Sequence, residues 1–270
     1  MPYVVIDSGH GGYDKGASYF GYNEKDITLR VAKKVASRLK ALGFDVKLLR
    51  ETDEYLGNAS ERGRMIAELK PDFAISIHVN SSGGEGKLTG AEIITPLGKS
   101  VARFEYYLRE GFEKLNKFRQ IYSRISGGEV VERFIDPETI RYTKTYDSRN
   151  YYGIIREAWN GGVPLDIVEM FYIDNEGDLY TFLNQEDKYV EAIVRAMAKA
   201  FNITYREEVT TQSTHPTRTE YAKTSQVKKP DTYYRVVCGS FYAVEDAKRM
   251  QQQLLDDHYE DVWVQQVPIK

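Results

Sequence analysis

The chain has 270 residues, 41% of them apolar, enough for one catalytic-sized domain with a real core and a small appendage. Its net charge of -3 comes from nearly balanced acids and bases, so no global field draws it to nucleic acid or anionic lipid. The single cysteine, Cys238, excludes an internal disulfide framework and a four-cysteine zinc site, leaving histidines and carboxylates to hold any metal.

Along the chain, the opening Met-Pro-Tyr-Val-Val-Ile-Asp has no basic or long apolar region, so it does not read as a signal peptide. No apolar stretch approaches the roughly 20 residues that span a bilayer. The expectation is a chain made and kept in the cytoplasm until something releases it, with no membrane insertion. Tyr3–Ile6 reads as a buried strand feeding the glycine-rich loop Asp7-Ser8-Gly9-His10-Gly11-Gly12. Glu24–Leu42 reads as a helix, with Ile27, Val31, Val35 and Leu39 on one stripe and Gly43 as its stop. Asp45–Leu49 alternates as a strand. Asn58 caps a helix to about Leu69, ahead of Pro71. Phe73–Ile77 is a strand ending at His78, Ala91–Thr95 another, and Ser100–Phe118 an amphipathic helix. Leu165–Met170 is a strand and Gln185–Phe201 a closing helix.

Alternating strands and helices predict an α/β domain with a mostly parallel sheet flanked by helices. Ligands of such sheets bind beyond the carboxyl ends of the strands. The loops of His10 and His78 lie there, as does Glu169 near the end of its own strand. The other two histidines, His215 and His258, read as solvated. A catalytic zinc needs three N or O ligands and an open position. Glu24 qualifies as the carboxylate by position alone, but taken by itself it reads first as an ordinary first-turn acid complementing the helix dipole. The 21 tyrosines suit stacking on sugars as well as ordinary core and interface roles.

Four stretches appear in order: Val5-Ile6-Asp7-Ser8-Gly9-His10-Gly11-Gly12, Asn23-Glu24-Lys25-Asp26-Ile27, Ser76-Ile77-His78-Val79-Asn80-Ser81 and Ile167-Val168-Glu169-Met170-Phe171-Tyr172. Together they resemble the zinc-dependent N-acetylmuramoyl-L-alanine amidases of the amidase-3 class, over about residues 1–202. The resemblance implies one Zn2+ held by His10, Glu24 and His78, with Glu169 as the catalytic glutamate. It matches Arg156 to the family's strand arginine, which would help stabilise the oxyanion, and puts Asn80 in a His-x-Asn motif facing substrate. Asp7 either orients His10 or caps its loop. The implied reaction is cleavage of the amide between muramic acid and L-alanine in peptidoglycan. The stretch Leu115–Asn150 is longer and more polar than in typical members. The competing readings are a non-catalytic peptidoglycan-binding protein and a zinc hydrolase of another amide, such as a peptidase.

Residues 1–203 form the catalytic domain on this reading, and 204–231, rich in Thr, Ser, Pro, Gln and Lys, a linker. Residues 232–270 read as a small βαβ unit: strands Tyr233–Val237 and Val262–Val267 around a helix Val244–Leu255. With Gly239-Ser240-Phe241 and Ala247, Met250 and Leu254, it resembles half of a sporulation-related (SPOR) peptidoglycan-binding repeat. Two chains pairing their halves in a homodimer would complete the sheet; the alternative is a small module packed on the catalytic domain. The role expected is a phage endolysin, released through a holin pore, with a sporulation amidase acting at mother-cell lysis as the alternative.

Overall fold

Val4, Val5 and Ile6 are all fully buried, so the first strand, β1 (Tyr3–Ser8), has core on both faces. Val4 and Ile6 enter one apolar cluster and Val5 the other, as the two-residue period of a strand requires. In this computed structural model residues 1–98, 100–125, 130–132, 134–135, 140–141 and 150–206 are described. The chain divides into two units, Met1–Glu208 and Val209–Lys270. The expected module at 232–270, the homodimer built on it and nearly all of the linker lie outside the described residues.

A hairpin of β2 (Ser18–Tyr19) and β3 (Tyr22–Asn23) follows β1 and leads into α1 (Glu24–Ala41). Then come β4 (Asp45–Leu48), α2 (Ala59–Leu69), β5 (Phe73–Asn80), β6 (Ala91–Ile94) and α3 (Ala102–Phe112). Next are β7 (Phe118–Arg124), β8 (Val130–Glu132), β9 (Phe134–Ile135) and β10 (Ile140–Arg141), which fall in the expected insertion. The unit closes with α4 (Gly153–Asn160), β11 (Leu165–Tyr172) and α5 (Glu176–Ala200). The main sheet has the order β4-β1-β5-β11-β6-β7-β8. Its pairs are parallel except β11 with β6 and β7 with β8. Helices α1, α3 and α5 cover one face, and α2 and α4 the other. The α/β architecture with a mostly parallel sheet is therefore the one expected. Among the described residues no helix is long and apolar enough to cross a membrane.

Several ends follow the sequence closely. Leu42 caps α1 and Gly43 takes a φ of +91°. Asn58 accepts the backbone N–H groups of Ser60 and Glu61, while Glu61 accepts that of Asn58, a reciprocal capping box.

Other ends differ, for physical reasons. The helix expected over Ser100–Phe118 stops at Phe112, and Phe118 opens β7. Leu115 and Phe118 still pack on the same core, so the apolar pattern runs on after the helix ends. Asn116 fixes the turn by donating to Asp178. The closing helix begins at Glu176, capped by Asn175, and breaks at Gln185, whose φ of -133° is not helical. The expected start at Gln185 is thus the kink between two helical halves. Helix α4 was not expected, and it places Arg156 on a helix, not on a strand.

Candidate metal centre

The site begins where β1 ends. The Gly9 N–H donates to Ile77 O, and its carbonyl accepts from Thr28 Oγ1 and from Arg50 Nη2. Arg50 is fully buried and also donates to the carbonyls of Ser8 and Lys25, tying the end of β1 to the start of α1. His10 then takes a φ of +62°, a left-handed backbone that a non-glycine residue adopts only when its surroundings enforce it. Its Nδ1 lies 2.9 Å from Asp14 Oδ2, which turns Nε2 toward Glu24 Oε2 at 3.1 Å.

Glu24 opens α1, and its side chain points inward, only 4% exposed. Oε2 accepts the Ala17 N–H and Oε1 the Val79 N–H, which fixes the carboxylate plane. Oε1 also lies 2.8 Å from His78 Nδ1. His78 stands inside β5, which runs on to Asn80; the sequence had suggested a loop there. The ligand atoms of His10, Glu24 and His78 all fall within 4.8 Å of one another. Burial alone would raise the Glu24 carboxyl, but the hydrogen bonds and charges of the two histidines outweigh it and hold the group far below the carboxylate range. Burial lowers His10, and Glu24 and Asp14 together raise it above its ordinary value.

Gly9 makes this geometry possible. A Cβ there would sit 2.3 Å from His78 Cε1, far inside van der Waals contact. Gly9→Ala is therefore expected to push the His78 ring aside and weaken divalent-metal affinity about tenfold or more. Competition with a chromophoric chelator measures this, and unchanged affinity would show that the ring has room to move.

Asp7 neither orients His10 nor caps its loop. It is fully buried and accepts from Arg62 and from Ser76 Oγ, while Asp14 takes the orienting position on His10. Asp14 had a readable signal, four residues beyond His10 in the same glycine-rich loop.

Glu169 joins the cluster through strand register. It pairs with His78 across β5 and with Glu92 across β6, and Glu92 pairs with Gln120. Side chains at paired positions share a face, so His78, Glu169, Glu92 and Gln120 form one row over four strands. Oε2 of Glu169 is buried with no hydrogen-bond partner among the described residues. Burial first, then the charges of Glu24 and Glu92, push its carboxyl well above the ordinary range. The sequence reading missed Glu92, a lone charge in an otherwise apolar strand. Glu92 accepts from Arg119 Nε, Tyr172 Oη, Asn80 Nδ2 and Gln120 Nε2. Asn80 thus sits at the end of β5 with its amide turned to Glu92. Arg156 donates to Ser60 Oγ and to the carbonyls of Tyr151 and Asn150, contacts between α4, α2 and the segment before α4.

Two ring nitrogens and one carboxylate oxygen, converging from three elements that the fold holds rigid, suit a zinc ion with an open coordination position. Glu169, with its unpartnered Oε2, occupies the row position beside His78.

Residues 4–201 match the family profile described as N-acetylmuramoyl-L-alanine amidase. The chain is 34% identical over 198 residues to an endolysin of Bacillus phage SPP1, spanning 73% of this chain and 63% of that protein. It is 39% identical over 88 residues to the sporulation-specific N-acetylmuramoyl-L-alanine amidase of Bacillus subtilis, spanning 32% of this chain and 34% of that protein. Among solved structures, the catalytic domain of CwlV, an N-acetylmuramoyl-L-alanine amidase from Bacillus (Paenibacillus) polymyxa, superposes with a TM-score of 0.59 and 25% identity. That superposition covers 76% of this chain and 100% of the CwlV domain.

Proposed function

The chain belongs to the N-acetylmuramoyl-L-alanine amidase family, and from that premise we propose that it hydrolyses the amide between N-acetylmuramic acid and L-alanine in peptidoglycan, with one zinc ion. The observation that carries the reading is the orphaned Oε2 of Glu169, in register with His78 beside three converging ligands.

His10 through Nε2, Glu24 through its carboxylate and His78 would hold the ion. Zinc, when bound, supplies Lewis acidity toward the scissile carbonyl and lowers the pKa of water at the open position. Glu169 Oε2 takes a proton from the attacking water and returns it to the amine leaving from L-alanine. A carboxyl raised by burial suits both halves of that transfer near neutral pH. Asn80, at the end of β5 with its amide on Glu92, would contact substrate. Arg156 would assist only by leaving its contacts with α2. The products are a lactyl carboxylate on muramic acid and a free stem peptide.

Product analysis on purified cell walls tests the reading. New alanine amino termini and muramoyl carboxyls are expected, lost on chelation and restored by zinc. New termini inside the stem peptide would make the protein a peptidase, and intact walls would leave only a binding role. The SPP1 endolysin similarity, which spans more of this chain than the sporulation match, supports an endolysin acting on the wall after holin-type release. A holin gene beside its own would agree, and a sporulation locus would count against it. Residues 232–270 would serve as a wall-binding appendage; truncation after residue 231 with undiminished pelleting on walls would refute that.

A further inference from the structure

Strand β7 departs from regular pairing at one residue. Ala91 pairs with Phe118 and Glu92 with Gln120, so Arg119 is an extra residue opposite no partner. Such bulges are rare in parallel pairs, and near functional sites they re-aim a side chain. Here the bulge sends the Arg119 guanidinium over the Tyr172 ring, 5.6 Å from its centroid, with Nε 2.7 Å from Glu92 Oε1.

Glu92 anchors this arginine without saturating it. The carboxylate is buried and also accepts from Tyr172 Oη at 3.0 Å and Asn80 Nδ2 at 3.2 Å, so its place is fixed. Arg119 commits only Nε to it. Among the described residues, Nη1 and Nη2 make no hydrogen bond, and the side chain is 27% exposed. The structural arginines Arg50 and Arg156, by contrast, commit both Nη1 and Nη2 to protein oxygens. A guanidinium held by Nε and stacked on a ring keeps its end-on edge for a second, bidentate carboxylate.

We propose that Arg119 recognises a carboxylate on the stem peptide, namely a free α-carboxylate on its second residue, and so sets which stem peptides are cut. The inference rests on the amidase reading above. The sugars at the scissile bond are neutral N-acetylated rings, whereas the peptide carries carboxylates. The direction agrees too: from Glu169 the row runs through Glu92 toward β7. Two strand spacings make about 10 Å, and the arginine reaches back across part of it, within the span of two residues of extended peptide. The buried carboxylate of Glu92 would otherwise repel such a group, and Arg119 is the cation paired with it.

The test compares two soluble disaccharide tripeptides that differ only in a free α-carboxylate or an α-carboxamide on the second residue. The full-length zinc-loaded protein is expected to favour the free acid by about tenfold to a hundredfold in kcat/KM. Arg119→Gln should bring that ratio close to one, and Arg119→Lys, which keeps charge but not the fork, should leave an intermediate ratio. A wild-type ratio near one overturns the proposal whatever the variants do, and so does a ratio kept in Arg119→Gln. Cleavage of neither substrate, by contrast, counts against the amidase reading itself.

Discussion

Glu169→Gln is expected to retain zinc and lose amide cleavage, with kcat reduced about 10²- to 10⁴-fold. Glutamine keeps the size and position of the side chain but cannot carry a proton between water and the leaving amine. Glu169 lies next to His78 in the row and outside the group of three ligands, so metal content should not change. The substitution also replaces a buried ionisable carboxyl, whose charged form burial and the charges of Glu24 and Glu92 disfavour, by a neutral amide, so the variant should be no less stable than the parent. Turnover and metal content measured on the same sample decide the matter. Substantial residual cleavage would remove Glu169 from proton transfer, and lost metal would make it part of the binding site.

The largest effect on stability is expected from Arg62→Met. Asp7 is fully buried between β1 and α2, and both its oxygens lie 3.0 Å from Arg62 Nη1. Methionine fills much of the volume but leaves Asp7 with Ser76 Oγ as its remaining side-chain partner. Removing one member of a buried pair leaves an uncompensated charge and costs about 3–5 kcal/mol. Urea unfolding at neutral pH measures the loss. The double variant Arg62→Met with Asp7→Asn should recover much of it, because the orphaned charge goes too. Equal losses in the single and double variants would mean that Arg62 acts by packing alone.

The parts of this fold that could be read from sequence are those where one signal has one cause. The stripe from Ile27 to Leu39 and the stop at Gly43 define α1, and the Asn58–Glu61 pair defines the start of α2. Glu24 was different. Its place in a first turn is explained more simply by a helix dipole, and only folding brings its carboxylate between two histidines 54 and 14 residues away. Asp7 misled because nearness in sequence to His10 is not nearness of side chains: on a strand it faces α2 instead. Arg156 matched a motif, but its place on a helix with a hydrogen bond to Ser60 of α2 was not legible from that match. Glu92 and Arg119 belong to a constellation that strand order alone assembles. β6 and β7 lie far from β11 in sequence but follow it across the sheet.

The row of His78, Glu169 and Glu92 also governs how this chain can vary. A slip of β11 by one residue would turn Glu169 to the opposite face and bring Val168 or Met170, both fully buried apolar side chains, into its place. Such a change does not degrade the site by degrees; it exchanges the carboxylate proposed for proton transfer for hydrocarbon in one step. Length changes within Leu165–Tyr172 should thus be all-or-none for the proposed proton transfer. Relatives of this chain should accordingly keep β11 at constant length.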